Sequence, residues 1–222
     1  MSLNLCSVAV EPVYYVRDLG VILDSELSMR VHISKISLTS FFHLHRLRKL
    51  RPLIDTASAQ RLASAFILSR VDYCNAMLAR LPTSILAPLQ RVLNAAAHFV
   101  AGATSRTHVS GIMKSLHWLP IAYRIRFKLC VLMHSVHNGT SPSYLTDTTT
   151  PISSLPGHHQ LRSAMMTEYD IPRIRTKFGD KAFSVAEPRE WNALPADIRN
   201  ITDLSSFKRA IKTHFFVLAY LD

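Results

Sequence analysis

The spacing of apolar positions changes character near residue 29. Upstream it suits strands. Val8, Val10, Val13 and Tyr15 alternate loosely, and Leu19-Gly20-Val21-Ile22-Leu23 is a short apolar run ended by Asp24-Ser25. The pattern predicts two short strands over 8–24, the end of a sheet, because a two-stranded hairpin is marginal alone. From Met29 to Leu50 the steps become three and four residues, with Ile33, Ile36, Phe41, Leu44 and Leu47 on the recurring positions and Pro52 as the stop. A second helix is predicted from Ala57 to Leu81, capped by Asp55 or Thr56, with Leu62, Ala65, Phe66, Ser69, Tyr73 and Met77 as apolar positions and Pro82 closing it.

A third helix is predicted from Ser84 to Ala101, with Gly102 as C-cap and Pro88 expected to kink it or shift its start. A short helix or turn over 111–119 leads into His117-Trp118-Leu119-Pro120, and Pro120 opens the first turn of a helix from Ile121 to His137. Residues 139–160 form a Ser/Thr/Pro-rich linker and 161–177 a semi-extended basic stretch containing Arg162, Arg173, Arg175 and Lys177. A helix from Lys181 to Leu194 is expected to be interrupted at Pro188. A last amphipathic helix, Leu204–Tyr220, takes Asp203 as cap and aligns Phe207, Ile211, Phe215 and Leu218. The expected fold is mainly α: a helical bundle with a short β-hairpin at the N-terminus and a smaller, less regular helical C-terminal region.

Composition supports a folded chain and adds a charge asymmetry. Of 222 residues, 48% are apolar and 18% charged, which argues against disorder. No apolar run approaches the roughly 18–20 residues of a membrane-spanning helix, so no membrane partner is expected. The N-terminus lacks a secretory pattern. Three scattered cysteines make no disulfide framework; both features fit an intracellular setting. The formal net charge is +11. Residues 27–146 hold fifteen Lys and Arg against only Asp55 and Asp72, and Tyr73–Thr146 contains no carboxylate. A solvated helical surface ordinarily mixes both signs. A stretch lacking one sign sustains a positive field that attracts phosphate backbones.

Several strings carry a resemblance. They are Val16-Arg17-Asp18-Leu19-Gly20-Val21-Ile22-Leu23-Asp24 with Leu27-Ser28 and His32-Ile33; Arg70-Val71-Asp72-Tyr73-Cys74-Asn75; and Leu89-Gln90 with Asn94-Ala95-Ala96. Next come Ser115-Leu116-His117-Trp118-Leu119-Pro120-Ile121 with Arg124-Ile125 and Phe127-Lys128, then Pro142-Ser143-Tyr144-Leu145. The set closes with Gly179 to Ala186, Pro188-Arg189, Trp191 to Pro195, and Leu204 to Lys208. In this order they resemble the part following the catalytic core in LINE-type, non-LTR retrotransposon reverse transcriptases, in particular the jockey-like branch. Each string alone is a weak signal; the ordered set is specific.

The resemblance implies a layout: the end of a palm at 1–28, a basic helical thumb-like region at 29–138, a linker at 139–160 and a C-terminal helical tail at 161–222. It also implies what this chain lacks. Nucleotide addition needs carboxylates that hold two divalent metals about 3.5–4 Å apart, and in the family these include an adjacent Asp-Asp pair after an aromatic. The sequence has no Asp-Asp pair, so no catalytic residue carries over. No polymerase activity and no cofactor are expected for this chain, while the family's catalytic core uses Mg2+. The implied partner is the backbone of RNA, an RNA–DNA hybrid or DNA, in a nuclear or cytoplasmic ribonucleoprotein. The missing palm and fingers, or a second copy meeting exposed apolar surface, are further expected partners. Two alternatives stay open: a helical protein-interaction module, and a retrotransposon remnant without a selected role.

The candidate nucleic-acid-binding residues are Arg46, Arg48, Lys49 and Arg51, at the end of the first long helix, and Arg124 with Lys128, which share a helix face. Phosphate contacts of this kind position a duplex without reading its sequence. The plain alternative is a solvated helix end, where cations also meet the negative end of the helix dipole. Trp118 offers an indole for base stacking, although its place at a helix start favours packing, as for Trp191. Cys130, His134 and His137 fall on one helix face at zinc-ligand spacing, but no fourth ligand is evident and that face is also needed for packing. No phosphate loop, nucleophile elbow or His-Glu-x-x-His string is present.

Overall fold

A computed structural model describes residues 3–5, 8–10, 13–104, 106–155, 167–176 and 178–221. Of the basic residues assigned to the semi-extended stretch, Arg162 and Lys177 lie outside the described residues, as do His158 and His159. The chain is mainly helical, with two small antiparallel hairpins ahead of the first helix. In the first, β1 (Leu3–Leu5) pairs with β2 (Val8–Val10). In the second, β3 (Tyr15–Asp18) pairs with β4 (Val21–Asp24). Leu19-Gly20 is therefore a turn and not the start of a strand. Both residues have positive φ, 44° and 86°, the two-residue geometry that matches strand twist.

Asp24 ties this hairpin to α1 (Arg30–Leu50). Its carboxylate accepts from the Ser28 and Met29 backbone N–H groups at 2.8 and 2.9 Å. Burial pulls its pKa up, but these hydrogen bonds outweigh burial and hold the carboxyl below its ordinary value. His32 accepts from the Ile22 N–H at 3.3 Å and the Tyr73 hydroxyl donates to the Leu19 carbonyl at 2.6 Å, which fixes the hairpin from two sides.

The buried seam of α1 runs Ile33, Ser37, Ser40, Leu44 and Leu47. Phe41, expected on this seam, is 41% exposed. The steps of four, three, four and three select the small serines in its place. A 3-10 turn over Arg51–Leu53 follows. Helix α2 (Thr56–Ala63), capped by Asp55 through the Ser58 N–H at 3.0 Å, continues through a π-helical turn (Ser64–Leu68) into α3 (Ser69–Asp72). The helix expected to reach Leu81 thus stops at Asp72. Cys74 is left-handed, and a 3-10 turn covers Asn75–Leu78. The inward face also differs from expectation: Ala59, Ala63, Ile67 and Val71 are buried, while Phe66, Tyr73 and Met77 face out. A four-residue repeat of small and β-branched residues is a narrow stripe, less conspicuous in sequence than the aromatic one beside it.

Helix α4 (Thr83–Ala101) passes through Pro88 without interruption. Pro88 forfeits one backbone bond near the helix start, while Leu86, Leu89, Val92 and Leu93 around it are buried. α1 packs most extensively on this helix. α5 (Val109–Ser115) and a left-handed His117 lead to α6 (Ile121–His137), for which Pro120 is the N-cap residue. A short α7 (Ser143–Thr146) lies in the linker segment, and Pro151 forms a β-bridge with Tyr169. α8 (Phe183–Asn192) also accommodates its proline, Pro188, and is not interrupted. α9 (Ala196–Arg199) precedes α10 (Leu204–Tyr220), capped by Asp203 through the Ser206 N–H at 2.7 Å.

Two apolar clusters result. The first unites β4 with α1 to α6. The second gathers the opposite side of α6 with Trp191, Phe207, Ile211 and Phe215 from the C-terminal helices. α6 serves both: Ile125 and Leu129 enter the first cluster, Cys130 and Met133 the second. Ion pairs between Arg80 and Asp180, at 3.0 Å, and between Arg126 and Glu190, at 2.5 Å, bind the basic region to the C-terminal one. Among the described residues, no helix is long and apolar enough to cross a membrane.

Candidate nucleic-acid interface

The candidate cations separate into three places. Arg48 and Arg51 meet Arg91, Asn94 and His98 of α4 around a surface groove of about 660 Å³. Nothing acidic lines it. Arg91, Asn94 and His98 recur along one face of α4 at steps of three and four. Arg91 is not among the candidates expected from sequence, although this periodicity points to it. Within the groove the two α1-end arginines do different work. Arg48 is exposed. Arg51 lays its guanidinium across the end of α4, donating from Nε to the Phe99 carbonyl at 2.9 Å and from Nη2 to the Val100 carbonyl at 3.1 Å. Its Nη1 donates to the Ile54 carbonyl at 3.0 Å. At Val100 it reaches a carbonyl that a helix end leaves without an intrahelical partner, and two of its five N–H donors remain.

Arg46 and Lys49 open onto a neighbouring groove with His43, Leu62 and Phe66. Phe42 and Phe66 are 58% and 40% exposed, and the Arg46 guanidinium sits 5.7 Å from the Phe42 ring centre. His43 faces Phe66 at 5.4 Å. Burial, with Arg70 and Arg46 nearby, lowers the His43 pKa, so its ring is neutral at pH 7. Cations interleaved with exposed rings suit a nucleic-acid strand, which offers phosphates and flat bases.

Arg124 and Lys128 belong to a third place. A cleft of about 460 Å³ lies between the end of α3, the His-Trp-Leu-Pro segment, the start of α6 and Lys212 of α10. Asp72, Asn75, Leu116 to Leu119, Arg124, Phe127 and Lys128 make up most of its lining. Arg124 is largely buried: it pairs with Asp72 at 2.7 Å and donates from Nε to the Leu119 carbonyl at 2.9 Å. Lys128 is exposed on the rim. Trp118 is 5% exposed, its carbonyl held by the Tyr220 hydroxyl at 2.6 Å, so it is a packing residue at the cleft wall.

The Cys130, His134 and His137 face is absorbed by the second cluster. His134 stacks on Phe207 at 4.2 Å and its Nε2 lies 2.8 Å from the Ile201 carbonyl. His137 Nδ1 lies 3.2 Å from the Tyr169 hydroxyl. Burial, then Glu190, pushes the Cys130 thiol far above its ordinary pKa, which leaves it inert. Among the described residues no group of three or more His, Cys, Asp or Glu is placed to hold a metal ion. Comparison with known proteins gives no match to a family model, to a curated protein or to a solved structure.

Proposed function

We propose that this chain is the post-catalytic, thumb-and-tail portion of a jockey-like non-LTR retrotransposon reverse transcriptase, and that it binds the RNA or DNA backbone without reading sequence. The observation that carries the binding reading is the carboxylate-free groove lined by Arg48, Arg51 and Arg91, beside the exposed Arg46 and Lys49. The ordered strings of the sequence carry the family reading. On this reading the chain itself does not polymerise and holds no metal, and it works inside the cell within a ribonucleoprotein.

The test is filter binding of an RNA–DNA hybrid across a salt series. Retention at about 50 mM salt should fall steeply by about 200 mM. Replacing Arg48, Lys49 and Arg91 by Gln should flatten the log–log salt slope by about one unit for each of these cations that engages a phosphate. Absence of retention at low salt, or retention indifferent to salt, overturns the reading.

A protein-interaction role has its own support in the outward surfaces around β3 and α1. Tyr14 and Tyr15 are 88% and 61% exposed, and Val31, Leu38 and Phe42 share the solvent side of α1. An oligomer that persists in high salt and ignores nucleic acid would favour that role.

A further inference from the structure

The groove between α1 and α2 differs from the one on α4 in carrying aromatic rings. Phe66 is the middle residue of the π-helical turn Ser64–Leu68, a rare geometry that recurs at functional sites. Ala63 and Ile67 around it are buried, whereas Phe66 is 40% exposed. The His43 ring lies 5.4 Å from that of Phe66 and 5.6 Å from that of Phe42, so three rings follow one another from α1 to the π turn. Phe42, at the edge of the groove, is 58% exposed. Cations stand among these rings. The Arg46 guanidinium is 5.7 Å from the Phe42 ring centre and Lys49 lines the groove. Besides burial, the charges acting on His43 are Arg70 and Arg46, both positive. Arg46, Lys49 and Arg70 are exposed. Among the described residues none of the three joins an ion pair, and no carboxylate lines the groove.

An occupant suited to this patch is flat, apolar on its faces and anionic along its edge. We infer that the groove binds an unpaired stretch of RNA or DNA, with bases stacked on Phe66 and Phe42 and the adjoining phosphates on Arg46, Lys49 and Arg70. The inference rests on the backbone-binding reading and adds to it the form of nucleic acid. A duplex keeps its bases stacked on one another and offers the groove only phosphate and sugar, so both phenyl rings would stay in water. An unpaired strand brings base faces as well. Every base has a π face, so stacking adds affinity without sequence preference. An apolar protein surface would cover the rings but bring no negative charge to the three cations.

The test is fluorescence anisotropy of the whole chain at about 50 mM salt, with labelled strands of about 15 nucleotides. Four are compared: oligo-dT, oligo-U, a base-free strand of equal charge, and a blunt duplex of equal length. The oligo-dT or oligo-U strand should bind at least about tenfold tighter than the base-free strand; equal affinity for the two supports the shared chemistry, and a preference assigns the source. Phe42→Leu with Phe66→Leu keeps apolar bulk and helix propensity while removing the rings. Both positions are exposed, so thermal melts should match the parent. This variant should bind the unpaired strands about tenfold more weakly, with the duplex and the base-free strand within about twofold of the parent. Its salt slope should be unchanged, whereas Arg46→Gln with Lys49→Gln should flatten the slope by about one unit for each cation that engages a phosphate. A base-free strand bound as tightly as the others, or unpaired strands unaffected by the leucine variant, overturns the inference. So does a leucine variant that loses self-association but keeps its strand affinity, since the occupant is then a second copy. A chain that holds the duplex without any dependence on bases fails here and leaves the backbone-binding reading standing; one that holds no strand and no duplex fails both.

Discussion

Glu187 shows how one residue's surroundings govern its chemistry. It is buried on α8 and one of its carboxyl oxygens has no partner. Removal from water pushes its pKa up to about 8, and the neighbouring Glu190 charge adds to the rise. In the unfolded chain the same carboxyl ionises near 4.5. Its folded state therefore holds a proton that the unfolded state releases. The contribution to stability is complete below pH 4.5 and is lost as pH climbs to about 8. Glu187→Gln should remove that slope. Thermal melts should show little difference from the parent at pH 4.5 and a variant more stable by a few kcal/mol at pH 8, at about 1.4 kcal/mol per pKa unit. An equal difference at both pH values would contradict the assignment. The sequence offers no hint of this, because Glu187 stands next to Pro188 in a segment whose polar and apolar spacing reads as an ordinary surface turn of helix.

At the scale of elements, the end of α4 illustrates a shared device. Gly102 is left-handed at φ 63°, its N–H reaches the Phe99 carbonyl at 3.2 Å and the Ala103 N–H the His98 carbonyl at 3.1 Å, while Arg51 adds a second donor to Phe99 and supplies Val100. A Cβ on Gly102 would lie 3.2 Å from Nη2 of Arg51. Gly102→Ala should cost about 1–2 kcal/mol from backbone handedness, and Arg51→Lys about 1–3 kcal/mol as its charged hydrogen bonds disappear. Because both act on one helix end, urea denaturation of the double variant should show less than the sum. Arg48→Gln should stay within about 0.5 kcal/mol of the parent. Closeness in sequence makes Arg48 and Arg51 look equivalent; they differ because Arg51 sits past the last turn of α1, where its side chain meets another helix.

For the whole molecule, the charge asymmetry survives folding only in part. Arg80, Arg124 and Arg126 are matched by Asp180, Asp72 and Glu190, all acids distant in sequence, while Arg46, Arg48 and Lys49 at the end of α1 and Arg91 on α4 are among the exposed cations that keep the outward field. On the solvent side of α1, Val31, Leu38 and Phe42 follow one another at steps of seven and four, and Phe42 adjoins the aromatic groove with Phe66. Contiguous apolar surface of this kind drives association. Light scattering at about 500 mM salt, where charge interactions are screened to roughly 4 Å, should show concentration-dependent self-association. Leu38→Ser with Phe42→Ser should abolish it. A parent chain that stays monomeric at all concentrations would rule out this face as an association surface.

The periodicity of the sequence determined most of the helices, because α4, α6 and α10 each announce themselves by a cap or a stop and by a broad apolar stripe. It also determined the positive block, the lack of an Asp-Asp pair, and that Cys130, His134 and His137 would share a face. Tertiary structure decided which stripe turns inward. Ser40, Ala63 and Val71 occupy the interior where Phe41, Phe66 and Tyr73 were expected, since helices approach closely only where side chains are small. It decided where α3 ends, through the Asp72–Arg124 pair and the Tyr73 hydroxyl on Leu19, which join residues fifty or so positions apart. It also sorted six similar cations into helix clamp, half-exposed ion pair and exposed charge. A sequence records that an arginine is present; the carbonyls and carboxylates within reach of it are known only when the chain has closed around them.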